Sequence, residues 1–211
     1  MPVGVPLYPV NLVVAGRRCL VVGGGRVAAG KVRGLLACDA VVHVVATEVG
    51  DEVRGLPDVT WERRPYRAGE VAGYRLAVAA TGDPEVNAAV FRDGEAAGVW
   101  VNSADDPDRC SFTLPSILRR GPLMITVSTG GHSPALSRWL ADRIGLAVGP
   151  EYAVLLELLS DARAAARADG GSTEGLDWQK ALDSDMLALI KAGQVQQARE
   201  RLQACLSSSS A

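Results

Sequence analysis

Residues 19–31 read CLVVGGGRVAAGK. Cys19-Leu20-Val21-Val22 is an apolar run of strand length, and Val27 to Ala37 continues as a helical stretch of small residues. Between them Gly23, Gly24 and Gly25 lead into Arg26, Val27 and Ala28 in the pattern GxGxxA. The first glycine of that pattern permits a tight turn. The second lets the backbone approach a pyrophosphate, and the small third residue lets helix and strand pack closely. Backbone N–H groups at the start of the helix then face the phosphate charge. The stretch therefore predicts the opening strand and helix of a βαβ unit, with Gly23, Gly24 and Gly25 under a dinucleotide.

The chain beyond it repeats this alternation. Ala40 to Ala46 (AVVHVVA), Val59-Thr60-Trp61, Leu76 to Ala80 and Val99 to Asn102 read as further strands. Asp83 and Pro84 have the character of an N-cap and a first helical residue, opening a helix to about Ala97. Strands alternating with helices imply a parallel sheet.

After Asp105 the pattern changes. Ser111 to Leu114, Ile117 to Arg120 and Leu123 to Ser128 look extended, with Gly121-Pro122 as a turn. Ser133-Pro134 opens a helix expected to end before Gly145, with Leu136, Leu140 and Ile144 as an apolar stripe. From Gly149 the pattern is helical. Tyr152, Leu155, Leu156 and Leu159 mark one face, Gly170-Gly171 a stop, and Met186 to Lys191 and Val195 to Leu202 two shorter helices. The expected class is α/β: a Rossmann-like parallel sheet over 1–113, an antiparallel and helical dimerisation region over 114–148, a helical C-terminal domain over 149–206, and a disordered tail over 207–211.

Composition narrows the function. A net charge of -2 argues against a general binder of nucleic acid or membrane surfaces, so an anionic substrate must meet local arginines. The four cysteines form no CxxC pair, so neither a zinc site nor a disulfide framework is expected. The first residues show no basic and apolar signal pattern, and no apolar run approaches the roughly 20 residues of a membrane helix. Cytoplasm is the expected location.

An acidic residue is expected after the second strand to grip the ribose hydroxyls, yet Ala46 and Thr47 stand there. Glu48 lies slightly late but within reach of a ribose. No arginine follows closely for a 2′-phosphate, so NAD is expected over NADP. Asp105, in a loop after the fifth strand, faces the cofactor crevice, where a carboxylate suits proton transfer. Asp105-Asp106-Pro107 can equally be a plain Asx-type turn. Ser128, Thr129, Gly130, Gly131 and His132 form a hydroxyl- and glycine-rich loop before a helix, which suits an anion and also ordinary capping by Ser133. Arg109, Arg119, Arg120 and Arg138 have the fork geometry for carboxylates, although Arg138 can pair with Asp142 along its helix. His43 reads as a satisfied strand residue. Cys19 reads as core, and Cys110 has no base to make it a nucleophile.

Taken together, VVGGGRVAAGK (21–31), VVATE (44–48), AATGDPEVN (79–87), VNSADDPDRCSF (101–112), LPSILRRGPLMITVSTGGHSP (114–134) and ALSRWLADRI (135–144) carry a resemblance. In unbroken order over roughly residues 8 to 145, the chain resembles the precorrin-2 dehydrogenase and sirohydrochlorin ferrochelatase family, the N-terminal module of sirohaem synthase. The resemblance implies NAD-dependent oxidation of precorrin-2 to sirohydrochlorin, with iron insertion in the bifunctional members, and a homodimer. It places a functional aspartate at Asp105 and cofactor contacts at Arg26, Val27, Thr47 and Glu48. Thr81, after the fourth strand, completes the cofactor set. Precorrin-2 is rich in carboxylates, so Arg109, Arg138 and the 128–132 loop become its expected contacts. No metal ligands are assigned. Two rivals are a non-enzymatic NAD-sensing module and a dehydrogenase for an unrelated small metabolite.

Overall fold

A computed structural model describes residues 5–168 and 176–207, which divide into two compact units. The first comprises residues up to Leu114 together with Gly130–His132, and the second holds Pro115–Thr129 and the chain from Ser133 onward.

In the first unit five strands, β1 (Arg18–Val22), β2 (Val41–Ala46), β3 (Val59–Arg63), β4 (Leu76–Ala79) and β5 (Trp100–Ser103), form one sheet in the order β3-β2-β1-β4-β5. Every pairing is parallel. Strand residues alternate between faces, so Cys19 and Val21 enter one core with Ala28, Ala29 and Val32 of α1 (Arg26–Leu36). Leu20 and Val22 enter the other, with Val90 of α3 (Pro84–Ala97) and Val101. Both faces are covered, which is why β1 is continuously apolar. Each such side chain contributes about 1.5–3 kcal/mol by leaving water. Cys19 is fully buried, as expected, and burial pushes its thiol pKa up to about 11.

Asp83 caps α3 as its sequence indicates, with its carboxylate accepting from the Glu85 N–H and Pro84 in the first turn. A short α2 (Asp51–Arg54) and 3-10 turns at Glu70–Gly73 and Pro107–Arg109 have no apolar period and were not legible in the sequence. His43 is satisfied in its strand, by the Thr60 hydroxyl at 2.9 Å and Glu62 at 3.3 Å.

The second unit begins with an antiparallel hairpin, β6 (Ser116–Arg120) and β7 (Leu123–Val127), against which α4 (Pro134–Ala147) packs. Helices α5 (Glu151–Ala168), α6 (Trp178–Leu182), α7 (Met186–Lys191) and α8 (Val195–Ser207) surround a core of Leu155, Leu158, Ala181, Met186, Ile190 and Leu202.

Several expectations need correction. Residues 111–114 are not a strand: Asn102 makes a single bridge with Cys110, and its side-chain amide then donates to the Phe112 carbonyl, so no ladder continues. Helix α4 runs through Gly145. One glycine costs a helix about 1 kcal/mol, and here Arg120 binds the Gly145 and Val148 carbonyls at 3.2 and 3.0 Å, capping the last turn. Leu136 is exposed, while Ser137 and Ala141 are the buried residues of α4. In α5 Leu158, not Leu156, joins Leu155 in the core. Helix α8 extends to Ser207, which therefore does not belong to a disordered tail. The stop at Gly170-Gly171 and residues 208–211 lie outside the described residues.

Candidate functional site

The strand order sets β1 beside β4, so the loops after them diverge and open a crevice at the carboxyl end of the sheet. Gly23 takes φ +126, and a Cβ there would strike the Ala80 carbonyl at the end of β4. Gly24 is tighter: a Cβ would collide with the Glu48 carbonyl oxygen and crowd the Val49 Cα at 2.9 Å. The Gly24 carbonyl also accepts from the Gly50 N–H at 2.9 Å, which ties the glycine loop to the segment after β2. Gly25 differs from both, since a Cβ there would meet nothing within 4 Å. It precedes α1 in extended geometry with no side-chain cap, and the first turn carries no acidic residue.

The first turn of α1 thus presents its N–H groups, with the positive end of the helix dipole, over an open glycine. That cradle fits a pyrophosphate. Gly24, Gly25 and Glu48 line a cleft of about 410 Å³ together with Arg54 and Arg63. Arg26 and Val27 are exposed at the start of α1, and Thr47 and Glu48 are exposed after β2. Thr81 sits beside Gly23, but its hydroxyl bonds Asn87 at 2.8 Å and the Asp83 N–H at 3.1 Å. That hydroxyl holds the start of α3.

On the other side of β4, the loop after β5 separates the two aspartates. Asp106 caps the 3-10 turn, accepting from the Asp108 N–H at 2.9 Å, and pairs with Arg109 at 3.2 Å. It is the Asx-turn residue. Asp105 is exposed and takes no part in that cap; its Oδ1 accepts a 2.5 Å bond from the Ser103 hydroxyl. Partial burial works against its ionisation, but hydrogen bonds from Ser103, Asn87 and its own N–H, with the charge of Arg109, outweigh this and lower the pKa. The carboxylate is ionised at neutral pH. Any stability it lends is present above the unfolded-state pKa and lost as pH falls through the lowered folded-state value.

Asn87 and Ser103 are both buried and gave no signal of this role in the sequence. Ser103 lies on the last residue of a strand, and Asn87 lies on a helix that any polar residue could decorate. Cys110 bonds the Ser103 and Asp106 carbonyls, and burial raises its pKa, so it stays a thiol.

The arginines fall into two classes. Arg109 donates to the Pro84 carbonyl at 2.7 Å besides its pairing with Asp106, so it braces the loop. Arg120 caps α4. Arg138 is exposed on α4 and forms no ion pair with Asp142 among the described residues. In the 128–132 loop the Thr129 hydroxyl donates to the Ser133 carbonyl and accepts from its N–H, which closes the loop on itself. Ser133 caps α4 through Leu136 N–H. Gly130 and Gly131 turn the chain with φ +60 and +85. Ser128, Thr129 and Arg138 belong to the second unit, and Gly130, Gly131 and His132 to the first. Among the described residues no group of three or more His, Cys, Asp or Glu is placed to hold a metal, and no helix is long and apolar enough to cross a membrane.

A family model described as putative NAD(P)-binding matches residues 10–116, just over half of the chain. The chain belongs to this family. Its NAD(P)-binding module is the sheet and glycine loop of the first unit. The chain is also similar to siroheme synthases, in keeping with the resemblance seen in the sequence. With that of Nitrosomonas europaea it shares 37% identity over 207 residues, covering 95% of this chain and 44% of the relative. With that of Neisseria meningitidis serogroup C the identity is 36% over 200 residues, covering 92% and 42%. The chain thus spans less than half the length of these relatives. A solved structure named "SirC, precorrin-2 dehydrogenase" superposes with a TM-score of 0.69 at 23% identity, covering 96% of this chain and all of the other, which shows the same fold.

Proposed function

We propose that this NAD(P)-binding protein acts in sirohaem synthesis as a precorrin-2 dehydrogenase, in the cytoplasm, where NAD is available. The observation that carries this is the pairing of a dinucleotide cradle with an ionised carboxylate that the local fold does not use for capping. Oxidising precorrin-2 to sirohydrochlorin removes a hydride and a proton. NAD takes the hydride when bound. The chain holds the dinucleotide on the uncapped start of α1, Glu48 accepts from the ribose, and Asp105 receives the proton or orients the C–H that loses it. Thr47, Arg26 and Val27 border the cofactor and Thr81 shapes the turn beside it. Ser128, Gly130, Gly131, His132 and Arg138 are proposed contacts for substrate carboxylates, while Thr129 closes the 128–132 loop and Arg109 braces the loop that carries Asp105.

Incubating the protein with precorrin-2 and NAD is expected to give NADH and sirohydrochlorin in a 1:1 ratio. NAD binding with no tetrapyrrole turnover would sink the enzyme reading and favour an NAD-sensing module. Iron insertion is a second reading, favoured by the same ionised carboxylate, which suits accepting protons from pyrrole N–H groups. Ferrous iron and sirohydrochlorin without NAD test it separately.

We further infer a homodimer formed through the hairpin and α4. Ile117 on β6 and Leu136, Trp139 and Leu146 on α4 are exposed apolar side chains on elements that pack together. Such a patch is unusual on a monomer surface. Light scattering should give twice the chain mass for the wild type and the monomer mass for Trp139→Asp. A monomeric wild type at micromolar concentration would refute the dimer.

A further inference from the structure

The most deeply buried polar side chain among the described residues is given no task in the reading above. Asn87, near the start of α3, is 0% exposed. A primary amide offers two N–H donors and an oxygen with two lone pairs. Here Oδ1 accepts from the Thr81 N–H at 3.1 Å and from the Thr81 hydroxyl at 2.8 Å, and Nδ2 donates to the Thr81 carbonyl at 3.2 Å. The remaining N–H goes to the Asp105 carboxylate. The helix start does not require this amide, because Asp83 already caps α3.

The backbone brings two loops to this one side chain. Ala79 on β4 stands opposite Ser103 on β5, and the Ala104 N–H donates to the Ala79 carbonyl at 2.8 Å, so Asp105 leaves the sheet beside Ala80 and Thr81. On the other flank the Ala80 N–H donates to the Val22 carbonyl at 2.8 Å. A Cβ on Gly23 would strike the Ala80 carbonyl and meet the Thr81 nitrogen at 3.1 Å. The Thr81 turn is therefore wedged between the glycine loop and the carboxylate loop, and Asn87 holds its N–H, carbonyl and hydroxyl. Ser103 alone would let the Asp105 carboxylate pivot about a single bond. A second donor on a different element fixes its plane.

We propose that Asn87 is a positioning residue, whose amide fixes the Asp105 carboxylate against the Thr81 turn and, through that turn, against the glycine loop. Its bearing on the reaction rests on the dehydrogenase reading. In that reading a hydride and a proton leave one substrate, so the groups that receive them work only at a fixed separation. Asn87 touches neither substrate nor cofactor; it acts through Asp105.

Nuclear magnetic resonance on the full chain tests the contact without turnover. In the wild type the Asn87 side-chain amide signals should shift with the same midpoint as the Asp105 carboxyl carbon. Asn87→Ala removes the donor, and Asn87→Asp keeps the size and the acceptor for Thr81 while setting a second carboxyl group against Asp105. The proton affinity of Asp105 should rise about tenfold or more in both, and furthest in Asn87→Asp. Arg109, the charged group that bears on Asp105, is unchanged in either variant. In turnover kcat should fall about tenfold or more, and the acid limb of the pH profile should move toward neutrality. NAD affinity in Asn87→Asp should change by less than about threefold. A role confined to packing would lower Tm and leave the Asp105 titration in place. That result overturns the proposal, as does a wild-type amide signal that ignores the titration. Shifted titrations in a protein that oxidises no precorrin-2 would support the Asn87–Asp105 contact and sink the dehydrogenase reading.

Discussion

Replacing Asp105 by Asn should lower kcat for precorrin-2 oxidation by roughly 10²–10⁴-fold, the usual weight of a positioned acid–base group. NAD affinity should change by less than about threefold, because the carboxylate lies across β4 from the glycine loop. The substitution is nearly isosteric, and the Ser103 hydroxyl can still donate to the amide oxygen, so Tm should move little. The pH profile gives an independent check. Since the Asp105 pKa is lowered below the usual carboxylate range, the group is already ionised at neutral pH. Activity should therefore show no acid limb from this residue near neutrality and fall only in strongly acidic solution. An unchanged kcat in Asp105→Asn, with substrate still bound, would remove Asp105 from the chemistry.

Gly24→Ala and Gly25→Ala should fail in different ways. At Gly24 the new methyl meets the Glu48 carbonyl and the Val49 backbone, and backbone cannot swing aside as a side chain can. The segment after β2 must shift, at a cost of roughly 1–3 kcal/mol. Tm should drop by several degrees, on the order of 4–8 °C per kcal/mol for a unit of about 100 residues. Dinucleotide binding should be lost with it. At Gly25 the methyl has open space and an ordinary backbone, so Tm should stay within about 1 °C of wild type. That space is where the pyrophosphate approaches, so affinity should still fall by tenfold or more, by denying contact with the α1 amides. Equal melting temperatures for the two variants would mean that the loop is less tightly held than its geometry states.

The order of strands and helices was legible because the apolar runs and caps are local signals. Cys19 to Val22 is apolar on both faces, and Asp83-Pro84 marks a helix start by chemistry that no tertiary contact need supply. The glycine loop was legible as a motif, but the reason for its middle glycine was not. Gly24 is required by the approach of Glu48 and Val49, a contact that only the β1–β2 pairing creates. Arg63 reaches the lining of the same cleft through register alone, opposite Ala46. Asp105 was singled out by position and resemblance. Its separation from Asp106 depends on which carboxylate caps the 3-10 turn, and two adjacent aspartates before a proline do not disclose that. The hydroxyls of Thr81 and Thr129 were read as ligand groups because their residue types suit ligands, whereas the fold occupies both internally.

The parallel sheet also acts as a ruler. The cradle follows β1 and the carboxylate follows β5, with β4 alone between them. Adjacent strands lie about 4.8 Å apart, so the two loops start roughly 10 Å from each other. This interval is set by hydrogen-bonded backbone and not by the side chains that fill it. Conservative changes in the cores beneath, such as Val to Ile on β1 or β4, can therefore alter stability while the spacing between the glycine loop and the Asp105 loop stays constant.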